Sequence, residues 1–188
     1  MTGTVFPFAG MLAQATQPAA SATNIWQFVG QMGGALALGL ACIGSSIGIG
    51  VAGRAAAGAW AKEAKAGLGL RFTYIVLLGM PISQTLYAMM IMNKIGRVLM
   101  EKVPSGAPVV RSIMTAEYAG MLLAVGIAAG IAEMFSAWMQ GLIGAAGIRA
   151  ICEGEGKGFA FLLIAMGIVE TVGIFAMVFL LGLIPKVG

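Results

Sequence analysis

The sequence predicts an all-α integral membrane protein whose four transmembrane helices form two tandem helical hairpins. Three observations predict it. The 188 residues are 60% hydrophobic and 10% charged, with a mean hydropathy of +0.96, whereas soluble domains carry roughly 25% charged residues. Apolar stretches recur at 28–61, 70–93, 113–147 and 159–184, each at or above the ~20 residues that cross ~30 Å of hydrocarbon. Finally, the chain repeats itself: Gly79-Met80-Pro81-Ile82-Ser83-Gln84-Thr85 lies over Ala165-Met166-Gly167-Ile168-Val169-Glu170-Thr171, and Ala56-Ala57-Gly58 over Ala145-Ala146-Gly147. Inside lipid only helices and closed barrels satisfy every backbone N–H and C=O, and the period-2 alternation of a barrel strand is missing.

Residues 1–24 hold no Lys or Arg and only a short apolar run, which makes them a poor signal peptide and reads as a retained extension. The first hairpin takes residues 25–103. Its first span is dense in glycine (Gly34, Gly39, Gly44, Gly48, Gly50, Gly53, Gly58), each costing about 1 kcal/mol against Ala in helix propensity. Close helix packing must compensate, either inside one protomer or in a curved inner layer of many copies side by side. Pairs four apart, Gly30 and Gly34, Gly44 and Gly48, Gly126 and Gly130, mark the first and third spans as protein-facing. The second and fourth spans, richer in Ile, Leu, Met and Phe, face lipid or an outer layer.

Between the hairpins, Pro104, Ser105, Gly106 and Pro108 read as a turn. Residues 104–188 form the second hairpin, turning near Glu153. Lys and Arg divide six against five between the two sides of the membrane, so charge bias does not orient the chain. They lie almost entirely in the connections, where they meet lipid headgroups rather than nucleic acid. Cys42 and Cys152 have no ligand-like spacing and histidine is absent, so neither a disulfide framework nor a zinc site is supported.

An ionisable group within a span is by default a functional-site hypothesis, and Glu170, midway along the fourth span, is the clearest. Its counterpart in the first repeat is Gln84, preceded by Ser83 and Pro81. Proline lacks an N–H and displaces the local helix, so the second span can present a hydroxyl, an amide oxygen and a loosened carbonyl near Met80 together. In a hairpin turning near Glu153, Gln140 falls beside Met166 and within a turn of Glu170. One carboxylate with several neutral oxygens is a hard-cation site for a monovalent ion. A proton needs only a carboxylate, so the extra ligands favour Na⁺, with H⁺ as the alternative. Glu133, two turns before Gln140 on the same face, lines an access route or is a protonated or water-facing group. Glu117 suits the positive end of a helix dipole.

With Met80-Pro81-Ile82-Ser83-Gln84, Leu86-Tyr87, Phe135-Ser136, Gln140-Gly141, Ala145-Ala146-Gly147-Ile148 and Val169-Glu170-Thr171, residues 28–184 resemble the membrane rotor subunit of V-type ATPases, the proteolipid, and most of all its Na⁺-translocating bacterial branch. The resemblance implies Glu170 as the ion-carrying carboxylate, with Gln84, Gln140, the Ser83 hydroxyl and the Met80 main-chain carbonyl as co-ligands. Ser83 stands where that family commonly has threonine and Ile82 where it often has glycine; Glu133 and the N-terminal extension are further departures. Also implied are a ring of identical copies in the cell membrane, spans one and three inside, a stationary membrane partner with a basic residue, and central-stalk subunits at the 1–2 and 3–4 connections. ATP synthesis or hydrolysis would lie on other subunits, for no phosphate-binding loop is present. A rival, a two-repeat secondary transporter, would show discontinuous helices around a substrate pocket. A purely structural membrane protein would have no use for Gln84, Gln140 and Glu170.

Overall fold

The computed structural model describes residues 25–100 and 114–185. The extension 1–24, the 103/104 boundary and the turn at Pro104–Pro108 lie outside them. Helix α1 (Ile25–Lys65), α2 (Thr73–Gly79), a short 3-10 turn (Met80–Ile82), α3 (Ser83–Met100), α4 (Ala116–Glu153) and α5 (Phe159–Leu183) follow one another. The segment Thr73–Leu99 makes one membrane span of α2, the 3-10 turn and most of α3, so four spans are present among the described residues. At 1.5 Å per residue, the 41 residues of α1 reach ~60 Å, about twice the hydrocarbon thickness, while the 25 residues of α5 reach ~37 Å.

Each hairpin turns by the same backbone device. After α1, the Leu68 N–H donates to Glu63 O (2.9 Å) across Gly67, whose φ is +66°. After α4, the Gly156 N–H donates to Ile151 O (2.9 Å) across Glu155, φ 55°. This six-to-one bond across a left-handed residue caps orphan helix carbonyls. The first turn carries an extra clamp: buried Glu63 accepts from the Arg71 amide (3.1 Å) and the Tyr74 hydroxyl (2.6 Å) and pairs with the Arg71 guanidinium, and the Trp60 indole donates to Arg71 O (2.9 Å).

Helices α1 and α4 form the inner pair. A Cβ on Gly126 would overlap the backbone of Gly33, one on Gly141 that of Gly48, and one on Gly44 that of Met134. The glycines of α1 divide accordingly. Gly33, Gly44 and Gly48 serve packing within the protomer, but a Cβ on Gly39, Gly50, Gly53 or Gly58 would meet nothing within 4 Å, which leaves that second set to surfaces beyond the chain. Outside, α5 turns Phe161 (79% exposed), Ile164, Ile168, Val172, Phe175 and Phe179 outward in one continuous apolar face.

The core is two apolar clusters. One, toward the chain-terminal end, includes Ile91, Ile95, Leu122, Val125 and Ile184; the other, toward the short turns, includes Ala52, Ala56, Tyr74, Leu77, Ile148 and Met166. Between them the buried residues turn polar: Ser45, Gln84, Glu133, Ser136 and Gln140.

Candidate ion-binding site

Pro81 begins the site. Lacking an N–H and clashing with the preceding turn, it converts Met80–Ile82 into a 3-10 turn between α2 and α3. Carbonyls around that turn are taken up by side chains. Ser45 on α1 donates to Pro81 O (2.6 Å) and accepts from Thr85 Oγ1 (2.8 Å). The Ser83 hydroxyl lies 2.9 Å from Met80 O and 3.1 Å from Gln84 Oε1. It has one proton for two acceptors, so one of these oxygen pairs is left without a hydrogen between its members. A hydroxyl, a main-chain carbonyl and an amide oxygen thus share one small volume, the donor set suited to a hard monovalent cation.

From α4 come two polar contacts with α5. The Ser136 hydroxyl accepts from Gln84 Nε2 (3.3 Å) and donates to Val169 O (3.2 Å), which joins Gln84 to the residue preceding Glu170. One turn away, Gln140 Nε2 donates to Met166 O (3.3 Å), while its Oε1 is buried without a partner. Gln140 therefore stands beside Met166, as residue counting across the turn at Glu153 predicts.

Glu170 is half-buried on α5. Its hydrogen-bond partner is the Tyr87 hydroxyl, which donates to Oε1 at 2.7 Å. The structure thus groups Met80, Ser83 and Gln84, connects them through Ser136 to the Glu170 segment, and leaves Glu170 hydrogen-bonded to Tyr87 rather than to Gln84 or Gln140. Glu133 is 0% exposed, and neither of its oxygens has a hydrogen-bond partner.

Sequence reasoning assigned no role to Tyr87 or Ser136. Each had a signal, because Tyr87 lies three residues after Gln84 and Ser136 four before Gln140, spacings that share a helix face.

Residues 32–93 and 123–183, which together make up more than half of the chain and fall one on each hairpin, both match the family of the ATP synthase C subunit. No curated protein matches the chain.

Proposed function

The chain belongs to the ATP synthase C-subunit family, the non-catalytic, ion-carrying membrane component of rotary ATPases, and on that premise we propose that it is the rotor proteolipid of a Na⁺-translocating V-type enzyme. Glu170 carries the ion, and Gln84, Gln140, the Ser83 hydroxyl and the Met80 carbonyl complete its oxygen shell. The observation that carries this reading is the Ser83 hydroxyl set between Met80 O and Gln84 Oε1. A proton would need none of these oxygens besides the carboxylate.

Within a ring of identical copies, each Glu170 stays neutralised by its ion while it faces lipid, because a bare carboxylate in hydrocarbon is strongly disfavoured. Meeting a basic residue of a stationary membrane partner, Glu170 releases the ion; leaving it, the site reloads from the opposite access path. Rotation and transport are coupled through that requirement for neutrality. Central-stalk subunits engage the 1–2 and 3–4 connections and transmit the rotation. The Tyr87 hydroxyl holds the carboxylate between exchanges.

The test is the rate at which a hydrophobic carbodiimide labels Glu170 in purified protein at constant ionic strength and pH. Slowing by Na⁺ but not by K⁺, weakened in Gln84→Ala and Gln140→Ala, is the expected result. Labelling that follows pH and ignores Na⁺ would make the chain a proton carrier; an unlabelled Glu170 would end the proposal.

A further inference from the structure

We propose that Glu133 anchors a second Na⁺ pocket in the same protomer, walled by Ser136, Gln84 and the bare backbone of Gly173 and separate from the one at Glu170. The inference rests on the preceding reading only in that the two pockets share Gln84.

Three observations lead to it. Glu133 is fully buried with both carboxyl oxygens unpartnered, and no described Lys or Arg pairs with it; the described ion pair lies at the first turn, Arg71 with Glu63. Neither charge state is satisfied by the protein alone. An ionised carboxylate requires a counter-charge, and a neutral acid requires an acceptor for its O–H, which no described residue provides.

The second observation is where the oxygens converge. The point a Cβ of Gly173 would occupy lies 2.7 Å from Glu133 Oε2, 3.2 Å from Ser136 Oγ and 3.6 Å from Gln84 Cγ. Only glycine lets α5 pass this close to Glu133, so the carboxylate and the Ser136 hydroxyl face the same stretch of bare backbone. Two carboxylate oxygens and a hydroxyl form a hard-ligand set with a single negative charge, which matches a monovalent cation rather than a divalent one, while Gln84 walls the pocket with its Cγ methylene.

The third is separation along α4 and α5. Gln140 meets Met166, Ser136 meets Val169, and Glu133 meets Gly173, so the antiparallel helices form a polar ladder. Glu133 is its last rung toward the chain-terminal end, while Glu170 turns away to Tyr87. Ser136 and Gln84, hydrogen-bonded to each other, link the Glu133 rung to the Val169 carbonyl beside Glu170.

Equilibrium binding of radioactive Na⁺ to the purified, assembled protein tests this by stoichiometry. Two Na⁺ per protomer are expected, one of them lost in Glu133→Gln and the other in Glu170→Gln. In Glu133→Gln the Na⁺ that remains should still slow carbodiimide labelling of Glu170. Gly173→Ala gives an independent arm: its methyl would displace Glu133 Oε2, and it too should bind one Na⁺ fewer. A single Na⁺ that persists in Glu133→Gln and disappears in Glu170→Gln overturns the second pocket and leaves the rotor site standing. A single Na⁺ lost in Glu133→Gln but kept in Glu170→Gln supports the pocket and overturns Na⁺ at Glu170. No bound Na⁺ overturns both.

Discussion

The two hairpins share a plan but divide the chemistry. In the first, Pro81 breaks the outer helix, side chains take up the carbonyls around the break, and the central polar group is the neutral Gln84. In the second, Gly167 occupies the proline position, α5 runs unbroken from Phe159 to Leu183, and the central group is Glu170. The inner helices differ as sharply. In the register that sets Gly58 on Gly147, the polar residues Glu133, Ser136 and Gln140 of α4 fall on Gly44, Ile47 and Val51 of α1. In the proposed Glu170 shell the second repeat thus supplies the charge and one amide, and the first supplies a loosened backbone carbonyl, a hydroxyl and the other amide. On that proposal neither repeat forms the site alone, which accounts for one Glu170 site in each pair of hairpins.

Making the repeats alike is the strongest way to break this comparison. Glu170→Gln, which gives the fourth span the first repeat's residue, should abolish carbodiimide labelling at that position and reduce ATP-driven Na⁺ uptake by the reconstituted enzyme to background. A remaining uptake of even a tenth would place the cargo site elsewhere. Gln84→Ala removes the first repeat's amide from both the Ser83 oxygen cluster and Ser136. The Na⁺ concentration for half-protection of Glu170 should rise about 30-fold, equivalent to ~2 kcal/mol.

Much of this architecture was legible before the structure. Span positions followed from apolar length, the hairpin pairing from the duplication, and the Gln140–Met166 contact from counting residues across the turn. What could not be read was helix rotation. Within one helix, Gly44 and Gly48 pack inside the protomer while Gly53 and Gly58 meet nothing within it, because spacing fixes a shared face and not the neighbour that face meets. Tyr87 and Ser136 were missed for the same reason: a hydroxyl's partner depends on how adjacent helices are turned. Glu63, near the end of α1, drew no attention in the sequence, yet Arg71 and Tyr74 bond to it and bury it.

Two smaller changes sharpen the contrast. Tyr87→Phe deletes a first-hairpin hydroxyl that holds the second hairpin's carboxylate. Carbodiimide labelling without Na⁺ should speed up, and half-protection should need about 5-fold to 10-fold more Na⁺, in line with ~1 kcal/mol for one lost hydrogen bond; unchanged values would mean the tyrosine does not hold the carboxylate while ions exchange. The smallest effect belongs to the turns, where Gly67 and Glu155 occupy the same left-handed place. Gly67→Ala should destabilise the first turn by about 1 kcal/mol, lowering the temperature at which the oligomer dissociates in detergent by a few degrees. Glu155→Gly should leave that temperature level or raise it slightly.

The polar layer between two apolar clusters also has an electrical consequence. With the ion held in that layer as proposed, the apolar clusters above and below it make each protomer an insulator on both sides of a thin plane. An ion cannot run the length of such a protomer; it can enter and leave that plane only sideways, through a neighbouring surface. The membrane voltage is therefore divided between two half-crossings, and of the ~2.3 kcal/mol per elementary charge that 100 mV supplies, roughly half acts on each. Entry and exit are two separately voltage-sensitive steps, and moving the plane toward either face would load one of them at the expense of the other.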